Sequence, residues 1–149
     1  MGMKEVAIAG LVAGFVSFII GIAFYMNPVI SGIQSQYTWV GYKSMDFIGG
    51  LTNWYVLLLV SNLFLTFFVA VLYSYTEGGI AIKSAWKKGL FFGFLLFLVS
   101  GLPSVCYKWM LSSYPDMLNV IDLVSFLINS LIVGAVLAVV YEKLSSSKS

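Results

Sequence analysis

Four long runs of apolar residues, separated by polar or aromatic segments, dominate the pattern of this chain. The runs cover residues 6–25, 53–75, 89–106 and 119–141. Each has about the 20 apolar residues that an α-helix needs to cross the hydrocarbon core of a bilayer. The pattern therefore predicts an all-α membrane protein with four transmembrane helices.

The segments between the runs differ in composition. Segment 26–52 contains Pro28, several glycines and several aromatic residues, and segment 107–118 is also aromatic. Because Trp and Tyr combine an apolar ring with a polar tip, we expect both segments to lie at the membrane interface, the first with a short surface helix. Segment 76–88 is short and lysine-rich.

The first and third runs share a motif that indicates an internal repeat. Gly10 to Phe18 and Gly89 to Phe97 both read Gly-Leu-x-x-Gly-Phe-x-x-Phe, and the second and fourth runs align Tyr73 with Tyr141. We interpret residues 1–149 as one membrane domain made of two tandem hairpins, repeat 1 at 5–76 and repeat 2 at 84–143, followed by a polar tail at 144–149.

Two spans per half would make the hairpins run in the same direction, as a parallel repeat about an axis along the membrane normal. Chance similarity between apolar helices is the alternative interpretation. Under either interpretation, we expect the four helices to form one bundle.

The lysines are distributed unequally between the two sides of the predicted bundle. One side carries Lys4, Lys83, Lys87, Lys88, Lys143 and Lys148, and the other carries Lys43 and Lys108. Positive residues are enriched in cytoplasmic loops. We therefore expect a multi-pass protein of the cell membrane with both termini in the cytoplasm.

Small residues form stripes along the predicted helices. The stripe glycines are Gly10, Gly14, Gly21, Gly89, Gly93 and Gly134. Such stripes allow helix backbones to approach closely in lipid. We favour contacts within one four-helix bundle, because stripes on several helices of one chain can pack against one another. A homodimer seam is the alternative.

Polar side chains occur near the middle of the second and fourth runs, at Asn62, Thr66, Asn129 and Ser130. An amide in lipid without a partner costs several kcal/mol, so we expect these residues to face inward. One interpretation is a set of structural hydrogen bonds between helices. The other is a midplane site for a small solute or ion at the interface of the repeats.

Charged residues near the helix ends form the second group of candidates. Asp122 lies inside the fourth run, and an ionisable residue at membrane depth is a functional candidate by default. We expect it to act at the helix start or to pair with Lys108 or Lys43. We expect Glu5, Glu77 and Glu142 to be solvated, and Cys106 to be a packing residue.

Composition limits the possible functions. The chain has 149 residues, of which 60% are hydrophobic and 9% charged, and it has no histidine or arginine and a net charge of +2. We expect no catalytic, cofactor-binding or metal site, no enzyme activity and no nucleic-acid partner.

The predicted function is that of a non-catalytic scaffold or accessory subunit. It would contact membrane lipids and either a partner membrane protein or further copies of itself. The alternative is a small-solute or ion transporter or channel.

Overall fold

The computed structural model describes residues 2–36, 47 and 49–146, and these residues are helical apart from short connections. The helices are α1 (Met3–Tyr25), α2 (Pro28–Ser35), α3 (Leu51–Thr76), α4 (Ala85–Leu96), α5 (Leu102–Leu111) and α6 (Asp116–Ser146). Four stretches are long and apolar enough to cross a membrane: Met3–Tyr25, Leu51–Gly79, Ala85–Leu111 and Asp116–Ser146. The predicted all-helical fold with four long apolar helices is thus confirmed, while insertion in a membrane stays a prediction.

Helix ends follow local chemistry that hydropathy does not report. The Asn27 side chain accepts a hydrogen bond from the Ile30 amide over 2.9 Å and caps α2, which starts with Pro28. Helix α6 starts at Asp116, before the apolar run, because an acidic residue after a proline suits the first turn of a helix. It continues to Ser146, so the tail placed at 144–149 begins as helix.

A π-helical turn at Phe97–Gly101 joins α4 to α5 within the third long stretch. Pro103 has no amide hydrogen for the carbonyl one turn earlier, and a wider turn before it accommodates this loss. Ser100 Oγ donates to the Leu96 carbonyl over 2.7 Å in the same turn. The helix then continues to Leu111 instead of ending near Cys106 as the sequence suggests.

The long helices lie in the order α3, α1, α6 and α4–α5 across the bundle. Helix α1 packs against α3 on one side and α6 on the other, and α4 packs against α6. The main apolar core lies toward the end of the bundle that carries the termini, here called the termini end. Its buried residues are Val6, Ala9, Ala13, Ala70, Tyr73, Phe92, Val133, Leu137, Ala138 and Tyr141.

The two hairpins correspond in their internal contacts but not in the contact between them. The pair α1/α3 corresponds to the pair α4/α6. A two-fold rotation that exchanged the hairpins would place α1 on α4 and α3 on α6. Under that symmetry, α3 and α4 would pack as closely as α1 and α6 do. Instead, α3 and α4 meet at the termini end through side chains, with Tyr73 and Phe92 ring centroids 5.0 Å apart. The tandem repeat stays a hypothesis.

Gly10 and Gly14 form the contact of α1 with α3. A Cβ atom on Gly10 would lie 3.0 Å from Phe67 Cα, and one on Gly14 would lie 3.0 Å from Leu63 Cα and against the Thr66 hydroxyl. These distances are shorter than ordinary van der Waals contact. The two glycines therefore permit a close backbone approach, and a side chain at either position would force α3 to shift.

The contact of α4 with α6 uses glycines on both helices. A Cβ atom on Gly89 would lie 2.7 Å from Ala135 Cα, and one on Gly93 would lie 3.0 Å from Leu131 Cα. A Cβ atom on Gly134 would lie 2.8 Å from Gly93 Cα. These glycine contacts lie within one chain, as the bundle interpretation expects.

Candidate functional site

Two layers of polar side chains lie along the contact of α1 with α6. The deep layer, in the middle of the bundle, consists of Ser17, Asn62 and Asn129. The second layer lies near the loop end, the end of the bundle opposite the termini. It consists of Tyr25, Lys108, Asp122 and Ser125.

The deep layer is a directed chain of hydrogen bonds across three helices. Asn129 Nδ2 donates to Ser17 Oγ over 3.0 Å, and Ser17 Oγ donates to Asn62 Oδ1 over 2.8 Å. Asn62 Nδ2 then donates to the Leu58 carbonyl over 2.8 Å. Asn129 Oδ1 is buried and has no hydrogen-bond partner among the described residues. The two asparagines are thus brought together, with Ser17 between them.

Thr66 and Ser130 lie outside this chain of side-chain bonds. Thr66 is buried, and its hydroxyl donates to the Asn62 carbonyl of its own helix over 2.6 Å. The Ser130 carbonyl lies against Gly93, in the contact of α4 with α6. Both residues therefore belong to helix packing in the described structure.

Ser17 is a residue of the candidate site that the sequence analysis did not single out, as are Tyr25 and Ser125 of the loop-end layer. Its position in the small-residue stripe of α1 groups it with the glycines. It is only 4% exposed, and its hydroxyl is the link between Asn62 and Asn129. The available signal is its hydroxyl, which needs a partner at membrane depth.

The loop-end layer surrounds the carboxylate of Asp122, which is 3% exposed. Tyr25 Oη donates to Asp122 Oδ1 over 2.8 Å, and Lys108 Nζ forms an ion pair with Oδ2. Ser125 Oγ lies 2.8 Å from Tyr25 Oη. Opposite charge and a hydrogen-bond donor together offset the cost of burying the carboxylate. Lys43, the other partner considered for Asp122, lies outside the described residues.

Helix α2 packs on an apolar cluster beside this layer. Ile30 and Ile33 pack against a cluster of buried residues that consists of Tyr114, Leu118 and Ile121. Lys108 Nζ lies 4.9 Å from the centre of the Tyr114 ring, a cation–π contact. Helix α2 thus packs against the cluster whose Tyr114 ring lies beside Lys108.

Two expectations about single residues are wrong. Glu5 is 4% exposed and is therefore not solvated. Glu77 is partly exposed, and its Oε2 lies 3.7 Å from Lys88 Nζ in an ion pair. Cys106 is exposed and does not pack in the core.

A cavity of about 250 Å³ opens near Glu5, lined by Met3, Val6, Val71, Ser74, Tyr75 and Tyr141.

The polar layers supply hydrogen-bond donors, acceptors and an ion pair. Within residues 2–36, 47 and 49–146, no three His, Cys, Asp or Glu side chains form a group suited to a metal ion. This set of groups suits helix association and the binding of a small polar molecule. The chain matches no protein-family model, no curated protein and no solved structure.

Proposed function

We propose that this chain is a non-catalytic, multi-pass protein of the cell membrane that acts as a scaffold or accessory subunit. It packs against the helices of a partner membrane protein. The observation that carries the proposal is the position of α3 at the edge of the bundle. In its most apolar window, only 11% of the residues are buried.

The exposed face of α3 includes a polar residue, which favours a protein neighbour over lipid. Ser61 is exposed near the middle of the helix, among bulky residues such as Leu57 and Phe64. Lipid tails offer a hydroxyl no hydrogen-bond partner, whereas small polar residues are common where membrane helices meet. A partner helix would cover this face and bond to Ser61.

The end of α5 offers a second surface of suitable chemistry. Tyr107, Trp109, Met110 and Leu111 are 64–80% exposed. Aromatic residues and Met are enriched in protein interfaces. An accessory subunit would use this patch near the membrane surface and α3 within the membrane.

The orientation rests on lysine positions. At the termini end, the described lysines are Lys4, Lys83, Lys87, Lys88 and Lys143. Lys108 is the described lysine near the loop end. Cytoplasmic termini follow from this bias. A reporter that is active only in the cytoplasm should therefore be active when it is fused to the C-terminus. The matching contacts within the hairpins support the tandem repeat as part of the same proposal.

Site-specific photo-crosslinking in native membranes tests the partner surface. A photoreactive residue replaces Phe64 on α3 or, as the matched control, Phe15 on α1, which are 62% and 53% exposed. We expect a discrete adduct with another membrane protein from position 64 only. Adducts with lipid alone at position 64 would contradict the proposal, and an adduct with a second copy would replace the accessory role by self-association.

A second candidate function is that of a small-solute or ion transporter or channel. The chain of hydrogen bonds through Asn62, Ser17 and Asn129 favours it, because Asn129 Oδ1 is an unused acceptor near the midplane. Flux of K⁺ and of urea into liposomes that contain the purified protein tests this function. Flux that is lost in Asn62→Leu but kept in Ser61→Leu would support it over the accessory role.

A further inference from the structure

We propose that a shallow groove between the start of α4 and the end of α6 binds the headgroup of an anionic phospholipid. The groove lies at the termini end, and the acyl chains of the lipid lie along the outer face of α6. This inference rests on the membrane insertion put forward in the proposed function, but not on the accessory role.

The groove is formed by two parts of the chain that the packing of α4 against α6 brings together, and its volume is about 530 Å³. One wall is the segment that leads into α4, and the other is the last two turns of α6. The walls include Lys83, Ser84, Trp86, Val139, Glu142 and Lys143.

The groove has an excess of positive charge. Lys83 and Lys143 are exposed on opposite walls, and neither forms a salt bridge within the part of the chain that the structure describes. Lys88, by contrast, is paired with Glu77. Among the described lining residues, Glu142 is the acidic one, so the two lysines leave the groove with a net charge of +1. This charge is complementary to a phosphate group.

A hydroxyl group accompanies the two lysines. Ser84 lines the groove directly before α4, and its side chain does not cap that helix. The hydroxyl is therefore available to a ligand. Hydrogen bonds from ammonium groups to phosphate oxygens are shorter and stronger than those between neutral groups. A phosphate in the groove would pair with Lys83 and Lys143 and accept a hydrogen bond from Ser84.

The apolar surface next to the groove favours a lipid over a free phosphate ion. Val139 lines the groove, and Ile132 lies seven residues earlier, which is about two helical turns and therefore the same side of α6. These two side chains are 43% and 38% exposed. An acyl chain that follows this face toward the middle of the bundle would cover both, whereas a free phosphate would cover neither.

Trp86 indicates the depth of the groove in a membrane. Its side chain is 52% exposed on the wall of the groove, and Lys87 Nζ lies 5.7 Å from the centre of its ring. Trp is enriched at the interface between membrane and water. Basic pockets between membrane helices at that level are typical sites for anionic headgroups. The groove therefore lies where lipid phosphates are found.

Native mass spectrometry of the purified protein in detergent tests the site. Phosphatidylglycerol or phosphatidylcholine with identical acyl chains is added, and the fraction of protein with bound lipid gives the relative affinity. Two lysines near an anionic headgroup would favour phosphatidylglycerol about 25-fold, and we expect about tenfold because Glu142 opposes them.

Two double variants separate the groove from the general charge of the termini end. Lys83→Gln/Lys143→Gln removes the lysines of the groove, and Lys4→Gln/Lys87→Gln removes two exposed lysines that are not part of its lining. Both variants lose two positive charges at exposed positions, and circular dichroism checks that both keep the fold. We expect the preference for phosphatidylglycerol to be lost in the first variant and kept in the second. Equal losses would overturn the site.

Two further measurements separate a lipid from a free phosphate. Glycerol 3-phosphate, which has the phosphate but no acyl chains, should not displace phosphatidylglycerol when it is added in excess. Phosphatidylglycerol with a photoreactive acyl chain should label the unmodified protein in vesicles near Ile132 and Val139. Displacement by glycerol 3-phosphate, or adducts concentrated on α3, would overturn the proposal.

Failure of this inference can be distinguished from failure of the proposed function. A protein that enters vesicles but binds both lipids equally would overturn the lipid site and leave the membrane proposal standing. A protein that stays in solution without detergent would overturn both. The partner crosslink from α3 involves a different helix, so the accessory role succeeds or fails independently of this site.

Discussion

The two halves of α1 use one helix face in different ways. In the half near the termini, Gly10 and Gly14 bring the backbone of α3 into direct contact. In the half near the loop end, Ser17 and Tyr25 hold α6 through hydrogen bonds, and a Cβ atom on Gly21 between them would meet no neighbouring atom within 4 Å. A glycine stripe is therefore a close-packed seam in one half and part of a polar, open contact in the other.

This difference shows what stabilises each contact. In lipid, the hydrophobic effect does not bring helices together, so either close van der Waals packing or hydrogen bonds must do so. The α4/α6 contact and the α1/α3 contact at Gly10 and Gly14 use packing. The α1/α6 contact near the loop end uses hydrogen bonds, and Ser17 adds one to α3 through Asn62. The largest effects are expected where a backbone cannot move, and the smallest at Gly21.

The substitution Gly93→Leu should have the largest effect. The new side chain would overlap the Ser130 carbonyl and Leu131 Cα, which are backbone atoms of α6. We expect a loss of at least about 3 kcal/mol of stability, at the upper end for overpacked sites. Thermal unfolding followed by circular dichroism in detergent measures it.

The corresponding change in the first hairpin, Gly14→Leu, should unfold the bundle in the same way. Size-exclusion chromatography provides the check on assembly. If Gly14→Leu keeps the fold and splits an oligomer, the glycine seam lies between chains and the intramolecular interpretation is wrong.

The substitution Asp122→Ala should have the next largest effect. It removes the partner of Lys108 Nζ and of Tyr25 Oη in one step. Breaking a buried ion pair costs several kcal/mol, and the partial exposure of Lys108 reduces this to about 2 kcal/mol. Chemical unfolding in mixed micelles measures the difference.

Asp122→Asn is the matched control for that change, because its amide oxygen still accepts from Tyr25. It should lose less stability than Asp122→Ala. Equal losses in the two variants would show that the Tyr25 hydrogen bond contributes nothing.

The substitution Ser17→Ala should have a moderate effect. It removes the hydroxyl that links Asn129 to Asn62 and leaves both amides without that partner. Hydrogen bonds between membrane helices contribute about 0.6–2 kcal/mol, and we expect a loss in this range. A double-mutant cycle with Asn129→Leu should show coupling between the two positions, and additive losses would contradict the hydrogen-bonded chain.

The pair Gly21→Ala and Gly14→Ala sharpens the comparison most directly. Alanine at position 21 meets no neighbouring atom, so we expect a change within about 0.5 kcal/mol, offset by better helix propensity. Alanine at position 14 meets the Thr66 hydroxyl and Leu63 Cα and should cost about 1–3 kcal/mol. Unfolding of both variants under one condition measures the contrast, and equal losses would mean that the two halves of α1 pack alike.

Part of the candidate site was predictable from residue chemistry. Asn62 and Asn129 were expected to face inward because lipid offers an amide no partner, and the structure brings them to one cluster. The Thr66 hydroxyl instead bonds to the Asn62 carbonyl of its own helix, and Ser130 packs against Gly93 of α4. The sequence could not show that Asn62 and Asn129 join one cluster while Thr66 and Ser130 do not. Helical spacing shows which residues share a face but not which helix lies opposite that face.

The sequence by itself determined the number of long apolar helical stretches and that each is long enough to cross a bilayer. Four apolar runs separated by polar or aromatic segments predict that result from the thickness of a bilayer and from helix geometry. It also determined which residues are too polar for lipid. These properties belong to single segments and need no knowledge of their neighbours.

Only the tertiary structure decided the order α3, α1, α6 and α4–α5, the bridging role of Ser17, the bond of Tyr25 to Asp122 and the burial of Glu5. The reason is that apolar helix faces are nearly equivalent in hydropathy. Which faces meet depends on the shape and the hydrogen bonds of both helices together. The contrast between Gly14 and Gly21 arises at that level, because a Cβ atom on Gly14 would meet α3, whereas one on Gly21 would meet no neighbouring atom within 4 Å.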